Sequence, residues 1–250
     1  MISFANLPVN KIVEHIKATN QHLPEDRKIY ISLYNGPRSI VCSGHPQSLY
    51  GLNVTLRKLK AQPNIDQNRI PYSQRKIRFS SRFLPISVPF HCDYLKDVND
   101  IIMKDVERDH LILGKGELAI PILSTETGED LRGHPQFTYE LIKQICTLPV
   151  YWEKATSITN ATHILEFGPS GAGVGLLTHR NKIGTGIQII LANSLETSEK
   201  EVLSKDSLYN RDPSSIKYSM NWEKLFAPKL VKSANNGKIY VETRFSRLLG

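Results

Sequence analysis

Two runs of helix-spaced apolar residues bracket a pair of short strands within the first 84 residues, and few folds accommodate that order. Leu7, Val9, Ile12, Val13 and Ile16 share one side of a helical wheel, with Asn6 placed to cap the helix and Pro8 in its first turn. Lys28 to Leu33 then alternates apolar and polar, Asn35-Gly36-Pro37 is turn chemistry, and Ser39 to Ser43 is apolar again, which predicts a hairpin. Pro46 suits the first position of a second helix, along which Leu49, Leu52, Leu56 and Leu59 recur at helical spacing. Arg69 to Tyr72 reads as a third strand. Helix, strand, strand, helix, strand predicts a ferredoxin-like small subdomain over residues 1–84, a helical layer on a small antiparallel sheet.

From residue 85 to 193 strands and helices alternate, which predicts an α/β layer. Phe83 to Val88 reads as a short strand stopped by Pro89, and Leu95, Val98, Ile101, Ile102 and Val106 trace an amphipathic helix. Pro89-Phe90-His91 therefore falls on a strand-to-helix corner. A strand over Leu118 to Leu123, a helix over Gln136 to Leu148, a strand at His163 to Phe167, a glycine-rich loop and a strand at Gly186 to Ala192 follow. Residues 194–250 are polar and linker-like, with a terminal strand at Lys238 to Val241.

Length and composition set the outer bounds. A chain of 250 residues with 40% hydrophobic content holds one large domain or two small ones. It has no run of eighteen apolar residues, and no basic patch followed by an apolar core opens it, so a soluble cytoplasmic chain without membrane contact is expected. Cys42, Cys92 and Cys146 are odd in number and widely spaced, which fits a reducing compartment and no structural metal. Most of the net charge of +8 lies between Val54 and Phe83, where Arg57, Lys58, Lys60, Arg69, Arg75, Lys76, Arg78 and Arg82 face one acid, Asp66. Such a stretch is either a solvated face or a dock for an anionic partner, a nucleic acid, a phosphorylated cofactor or an acidic protein. No nucleic-acid motif is present, and only Tyr72, Phe79 and Phe83 interleave with the basic residues, so nucleic acid is not the expected partner.

Three motifs carry possible chemistry. Gly44-His45-Pro46-Gln47-Ser48 imitates a nucleophile elbow, but its central residue is proline, which has no hydroxyl, and Ser48 comes two places too late. Gly168 to Gly175 follows a strand as a dinucleotide loop would, yet its glycines miss that register and no acid closes the next strand. A tight strand-to-helix turn is the reading that remains. His91 is the best single candidate: histidine titrates near neutral pH, accepts a proton from a hydroxyl or thiol, and here sits where α/β folds place reactive groups. The alternative is a hydrogen-bonded structural histidine. Cys92 beside it makes no dyad, because sequence neighbours point apart, and His163 and His179 read as structural or surface residues.

Several longer strings occur in one order: Asn35-Gly36-Pro37-Arg38-Ser39-Ile40-Val41-Cys42-Ser43-Gly44, Leu84-Pro85-Ile86-Ser87-Val88-Pro89-Phe90-His91, Leu148-Pro149-Val150-Tyr151-Trp152 and Thr162-His163-Ile164-Leu165-Glu166-Phe167-Gly168-Pro169. Together they resemble the malonyl/acetyl transacylase family. Pro46 to Leu59, Ile70 to Lys76 and Leu177 to Lys182 resemble the later part of the acetyltransferase domain of the fungal-type fatty acid synthase beta subunit. Gly237 to Ser246 is similar to the stretch leading toward that subunit's enoyl reductase domain.

The resemblance implies a partial acyltransferase core of the α/β-hydrolase-like kind, and an acetyl-CoA to acyl carrier protein transfer through an acyl-serine. His91 is then the general base, Asn35 and Phe90 lie at the acyl pocket, and a main-chain carbonyl in the segment Pro149-Val150-Tyr151 orients the histidine. No cofactor is tightly bound; acetyl-CoA is the substrate and the phosphopantetheine of the carrier protein the acceptor. Partners are the acyl carrier protein, the alpha subunit and the remaining beta-subunit domains. In the family the elbow serine, the first oxyanion strand and the arginine that selects malonyl groups precede anything matching Met1. The expectation is therefore a fragment, a truncated gene or one piece of a split subunit, inactive alone, with a strand edge and apolar surface uncovered. The competing reading is a non-catalytic module whose basic stripe binds CoA or the carrier protein.

Overall fold

The structure is a computed structural model and describes residues 1–113, 118–158, 160–168, 174–192, 202–204, 229–232 and 239–242. The chain divides into two compact units, Met1–Lys205 and Asp206–Gly250.

The first unit opens on β1 (Ile2–Ala5), followed by α1 (Val9–Asn20), β2 (Tyr30–Gly36), β3 (Ser39–Ser43), α2 (Pro46–Arg57) and β4 (Ser80–Phe83). The strands lie in the order β4-β1-β3-β2 with every neighbour antiparallel, which is the ferredoxin-like arrangement. Its core is where the alternating side chains of β1 and β3 meet the apolar stripes of both helices. Ile2, Phe4, Ile40 and Cys42 pack with Ile12 and Ile16 of α1 and Leu49, Leu52 and Leu56 of α2. Each large apolar side chain fully buried there contributes about 1.5–3 kcal/mol. Pro46 occupies the first turn of α2, where its missing N–H costs nothing.

Several sequence expectations need correction. β1 was not anticipated, because four residues are too few to show alternation. The strand expected at Arg69 to Tyr72 is instead a loop with short 3-10 turns at Gln67–Arg69 and Tyr72–Gln74. Pro71 removes a ladder donor there, and the Arg75 side chain satisfies the Ile70 carbonyl locally at 3.0 Å. The fourth strand is Ser80–Phe83, paired residue for residue with β1, so the strand expected from Phe83 to Val88 ends where it was to begin. Asn6 caps nothing with its side chain; it takes a left-handed φ of 67°, and Pro8 supplies the carbonyl that accepts from Ile12 at 3.3 Å.

After a corner at Pro89–Cys92 come α3 (Val98–Arg108) and α4 (Phe137–Cys146), which pack together. The expected strand at Leu118 to Leu123 amounts to one isolated bridge, Leu123 to Asp130. β5 (Val150–Tyr151) then joins the outer side of β2 in parallel, pairing Val150 with Leu33. α5 (Trp152–Ala155) leads on to a second sheet of β6 (His163–Glu166), β7 (Gln188–Leu191) and β8 (Val202–Ser204), all parallel in that order, with α6 (Gly175–Lys182) crossing from β6 to β7. Gly175 lets α6 approach the sheet, since a Cβ there would run into Leu191 and Glu166. β8 falls in the stretch read as linker. Among the described residues β6 is an edge of this sheet, and Leu165 on it is 37% exposed, whereas parallel sheets are ordinarily covered.

The second unit contains an antiparallel pair, β9 (Lys229–Lys232) and β10 (Ile239–Glu242); the latter is the expected terminal strand. No described helix is long and apolar enough to cross a membrane.

Candidate functional site

The candidate base, His91, stands at the corner between β4 and α3. His91 takes a φ of 60°, a left-handed conformation that costs a non-glycine residue roughly 1 kcal/mol or more and so requires partners that hold it. The C-terminal end of α4 supplies them. An α-helix leaves its last carbonyls without intrahelical donors, and here His91 fills the gap. Its backbone N–H donates to the Cys146 carbonyl at 2.8 Å. Its Nδ1 lies 2.9 Å from the Gln144 carbonyl oxygen and 3.2 Å from that of Leu148.

Carbonyls only accept, so Nδ1 carries a proton shared between the two and the neutral ring presents a bare Nε2. His91 is half-buried, and burial holds its pKa below the ordinary histidine value against the opposing pull of the Leu148 and Gln144 carbonyls. The arrangement is that of a neutral base with its lone pair fixed in direction.

The carbonyls that orient His91 are not those expected from Pro149 to Tyr151. Val150 and Tyr151 are committed to β5, and the Tyr151 N–H donates to the Thr125 carbonyl at 2.7 Å. The Tyr151 ring stacks on Tyr34 at 4.5 Å between centroids, with Lys154 Nζ 4.3 Å from its own centroid. It is the end of α4, just before that segment, which aims its carbonyls at the imidazole.

Two residues that the sequence reading missed hold this helix end. Gln144 is buried; its Oε1 accepts from the Thr125 backbone N–H at 2.9 Å and its Nε2 donates to Glu140 at 3.2 Å. Asn99 of α3, also buried, donates to Thr147 Oγ1 at 3.2 Å. Amide side chains among the apolar residues of two predicted helices are the signal that could have found them.

Phe90 stands beside His91 with ring centroids 6.4 Å apart, and its carbonyl accepts from Ser43 Oγ at 3.1 Å. Asn35 lies elsewhere. It is five residues along β2 from Tyr30, whose β3 partner is Ser43, a distance of roughly 16 Å at the rise of a strand. Its carbonyl accepts from Asn181 Nδ2 at 2.7 Å, which ties β2 to α6.

The imitation elbow behaves as its proline demands. His45 precedes α2, its ring accepts from the Gln47 N–H at 3.4 Å, and Ser48 is buried within the helix. The glycine loop at residues 169–173 lies outside the described residues. Cys92 donates through Sγ to the Pro89 carbonyl at 3.1 Å, and burial pushes its thiol up, so it is no nucleophile for His91. Cys42 is pushed up to about 12 by the same cause.

No protein-family profile matches the chain. Its relatives are more informative. Along its whole length it is 43% identical to fatty acid synthase subunit beta of Saccharomyces cerevisiae and 46% identical to that of Schizosaccharomyces pombe. The chain is similar along its whole length to one stretch of the fungal-type fatty acid synthase beta subunit. It spans 12% of the length of these relatives.

Solved structures agree on the fold. FabD from Acinetobacter baumannii matches 78% of this chain and 54% of its own, with a TM-score of 0.58 at 17% identity. The acyltransferase domain from the second module of the salinomycin polyketide synthase matches 81% of the segment and 38% of its own chain at a TM-score of 0.51 and 16% identity. The segment thus has a partial acyltransferase fold carrying a ferredoxin-like subdomain.

The lowered pKa of His91 has a measurable consequence for stability. As pH falls below 7 the unfolded chain, in which histidine titrates near 6.5, takes up the proton before the folded one does. The His91 contribution is therefore fully present above about 6.5 and is lost as pH falls through the folded value. Urea unfolding midpoints should fall between pH 7 and pH 5, and His91→Ala should flatten that slope; an unchanged slope would remove the imidazole as its source.

Proposed function

We propose that this segment is the histidine-bearing part of an acyl-CoA to acyl carrier protein transferase, acting on acetyl-CoA within a fatty acid synthase beta subunit, with His91 as general base. The single observation that supports this most is the capture of Nδ1–H by two helix-end carbonyls, which leaves Nε2 free to accept a proton. In the first half-reaction Nε2 takes the proton of a serine hydroxyl as its oxygen attacks the thioester carbonyl, then delivers it to the sulfur of departing CoA. In the second, the phosphopantetheine thiol of the carrier protein gives its proton to Nε2 and attacks the acyl-serine, and the proton returns to the serine. Phe90 lines the acyl pocket beside the base, and Asn35, toward the other end of β2, contributes to substrate binding away from the acetyl group. The alpha subunit and the remaining beta-subunit domains are the expected assembly partners.

Among the described residues no serine stands on a nucleophile elbow: Pro46 fills the central place of the imitation motif, and Ser43 and Ser48 are buried. The isolated chain should therefore form no acyl-enzyme with radiolabelled acetyl-CoA, while a full-length beta subunit carrying the same segment should be labelled. Labelling of the isolated chain would refute this.

The second reading is a non-catalytic module that binds CoA phosphates or the carrier protein. It is favoured by the exposure of Arg57, Lys58, Arg75, Lys76, Arg78 and Arg82, with Arg69 alone drawn to Asp66 at 3.7 Å. Salt-sensitive binding of CoA to the segment, together with normal loading of a full-length His91→Ala subunit, would select it.

A further inference from the structure

Ser43 closes β3 directly beneath the His91 corner and is fully buried. The transfer chemistry makes no use of it. Its Oγ lies 3.1 Å from the Phe90 carbonyl oxygen and 3.0 Å from Ser32 Oγ, and Ser32 Oγ is in turn 3.1 Å from the Val41 carbonyl. The Phe90 carbonyl can only accept, so Ser43 must be the donor in that contact.

The carbonyl of Phe90 and the N–H of His91 belong to one peptide group, which is planar and rigid. Ser43 holds the oxygen end of that plane, and the Cys146 carbonyl, 2.8 Å from the His91 nitrogen, holds the other. With the plane clamped at both ends, the rotation left between it and the imidazole is the left-handed φ of His91, followed by the side-chain torsions. That unfavourable φ is retained only while its surroundings over-determine it. Release of one clamp would let the peptide turn and draw the imidazole away from the carbonyls of Gln144 and Leu148.

We propose that Ser43 is a positioning residue for His91, its buried hydroxyl fixing the Phe90–His91 peptide plane and through it the direction in which Nε2 faces the reacting groups. The proposal rests on the reading of His91 as the base.

The test is acetyl loading by a full-length beta subunit carrying this segment, with Ser43→Ala, Ser32→Ala and His91→Ala compared over pH. Ser32→Ala is the control: it removes the neighbour of Ser43 within the same strand pair but leaves the bond to Phe90. Ser43→Ala should lower kcat by about tenfold to a hundredfold with KM for acetyl-CoA unchanged. Its acid limb should also move to higher pH, as a loosened imidazole regains its ordinary affinity for protons. Ser32→Ala should alter neither.

If Ser43→Ala does not assemble, Ser43→Cys, which keeps the size and a weak donor, carries the test and should give a smaller loss with the same direction of pH shift. Loading abolished by His91→Ala but unchanged in kcat and pH profile by the Ser43 variant overturns this proposal alone. So does a Ser32→Ala variant that reproduces the Ser43→Ala profile. Normal loading by His91→Ala overturns the base assignment and this proposal with it.

Discussion

Replacing His91 by alanine in a full-length fatty acid synthase beta subunit that carries this segment should lower acetyl loading by roughly 10²- to 10⁴-fold, the range that general-base catalysis supplies. The loss should fall on kcat and on kcat/KM alike if Nε2, as proposed, acts on the moving proton and not on bound CoA. Part of the effect is structural. Removing the ring leaves the Gln144 and Leu148 carbonyls without their donor, which costs about 1–3 kcal/mol for a buried group and less where water enters the vacated space. Added imidazole separates the two contributions: a small base diffusing into the vacated site should recover part of the loading while the unfolding midpoint stays low. Loading within threefold of wild type would remove His91 from the reaction.

The second large effect concerns the scaffold. Phe4→Ala should destabilise the segment by about 3–5 kcal/mol, the usual cost of emptying a buried aromatic site. Phe4 lies on β1, between β3 and β4, and is fully buried in the cluster that holds the apolar stripes of α1 and α2. β1 belongs to the sheet that positions the His91 corner, since β3 ends at Ser43 beneath Phe90. A urea titration of this variant should show a much lower midpoint with little change in slope, and a loss below about 1 kcal/mol would contradict a central position for β1.

What the sequence made legible follows from where its information resides. The hairpin around Asn35-Gly36-Pro37, the start of α2 at Pro46 and the helix over Gln136 to Leu148 are local patterns, and each appears where its chemistry places it. β1 is four residues long, and its identity as a strand depends on partners at Ser39–Cys42 and Ser80–Phe83 that no local window contains. Arg69-Ile70-Pro71-Tyr72 has strand-like composition, but the loop closes on itself through Arg75 instead of meeting the sheet.

The site divides in the same way. The position of His91 between a strand and a helix was visible, because a histidine between two locally patterned elements is a signal in its own right. Its orienting partners were not, because they are main-chain carbonyls 53 and 57 residues away, and backbone atoms carry no side-chain signature. Ser43 was hidden for another reason: a small residue ending a strand has the same sequence appearance whether it clamps a functional peptide or only fills space.

The tautomer of His91 tests the account most directly. Nitrogen NMR of a ¹⁵N-histidine-labelled chain at neutral pH should find the proton on Nδ1, donated to the Gln144 and Leu148 carbonyls, and Nε2 unprotonated. A ring protonated on Nε2 instead, or on both nitrogens, would contradict it.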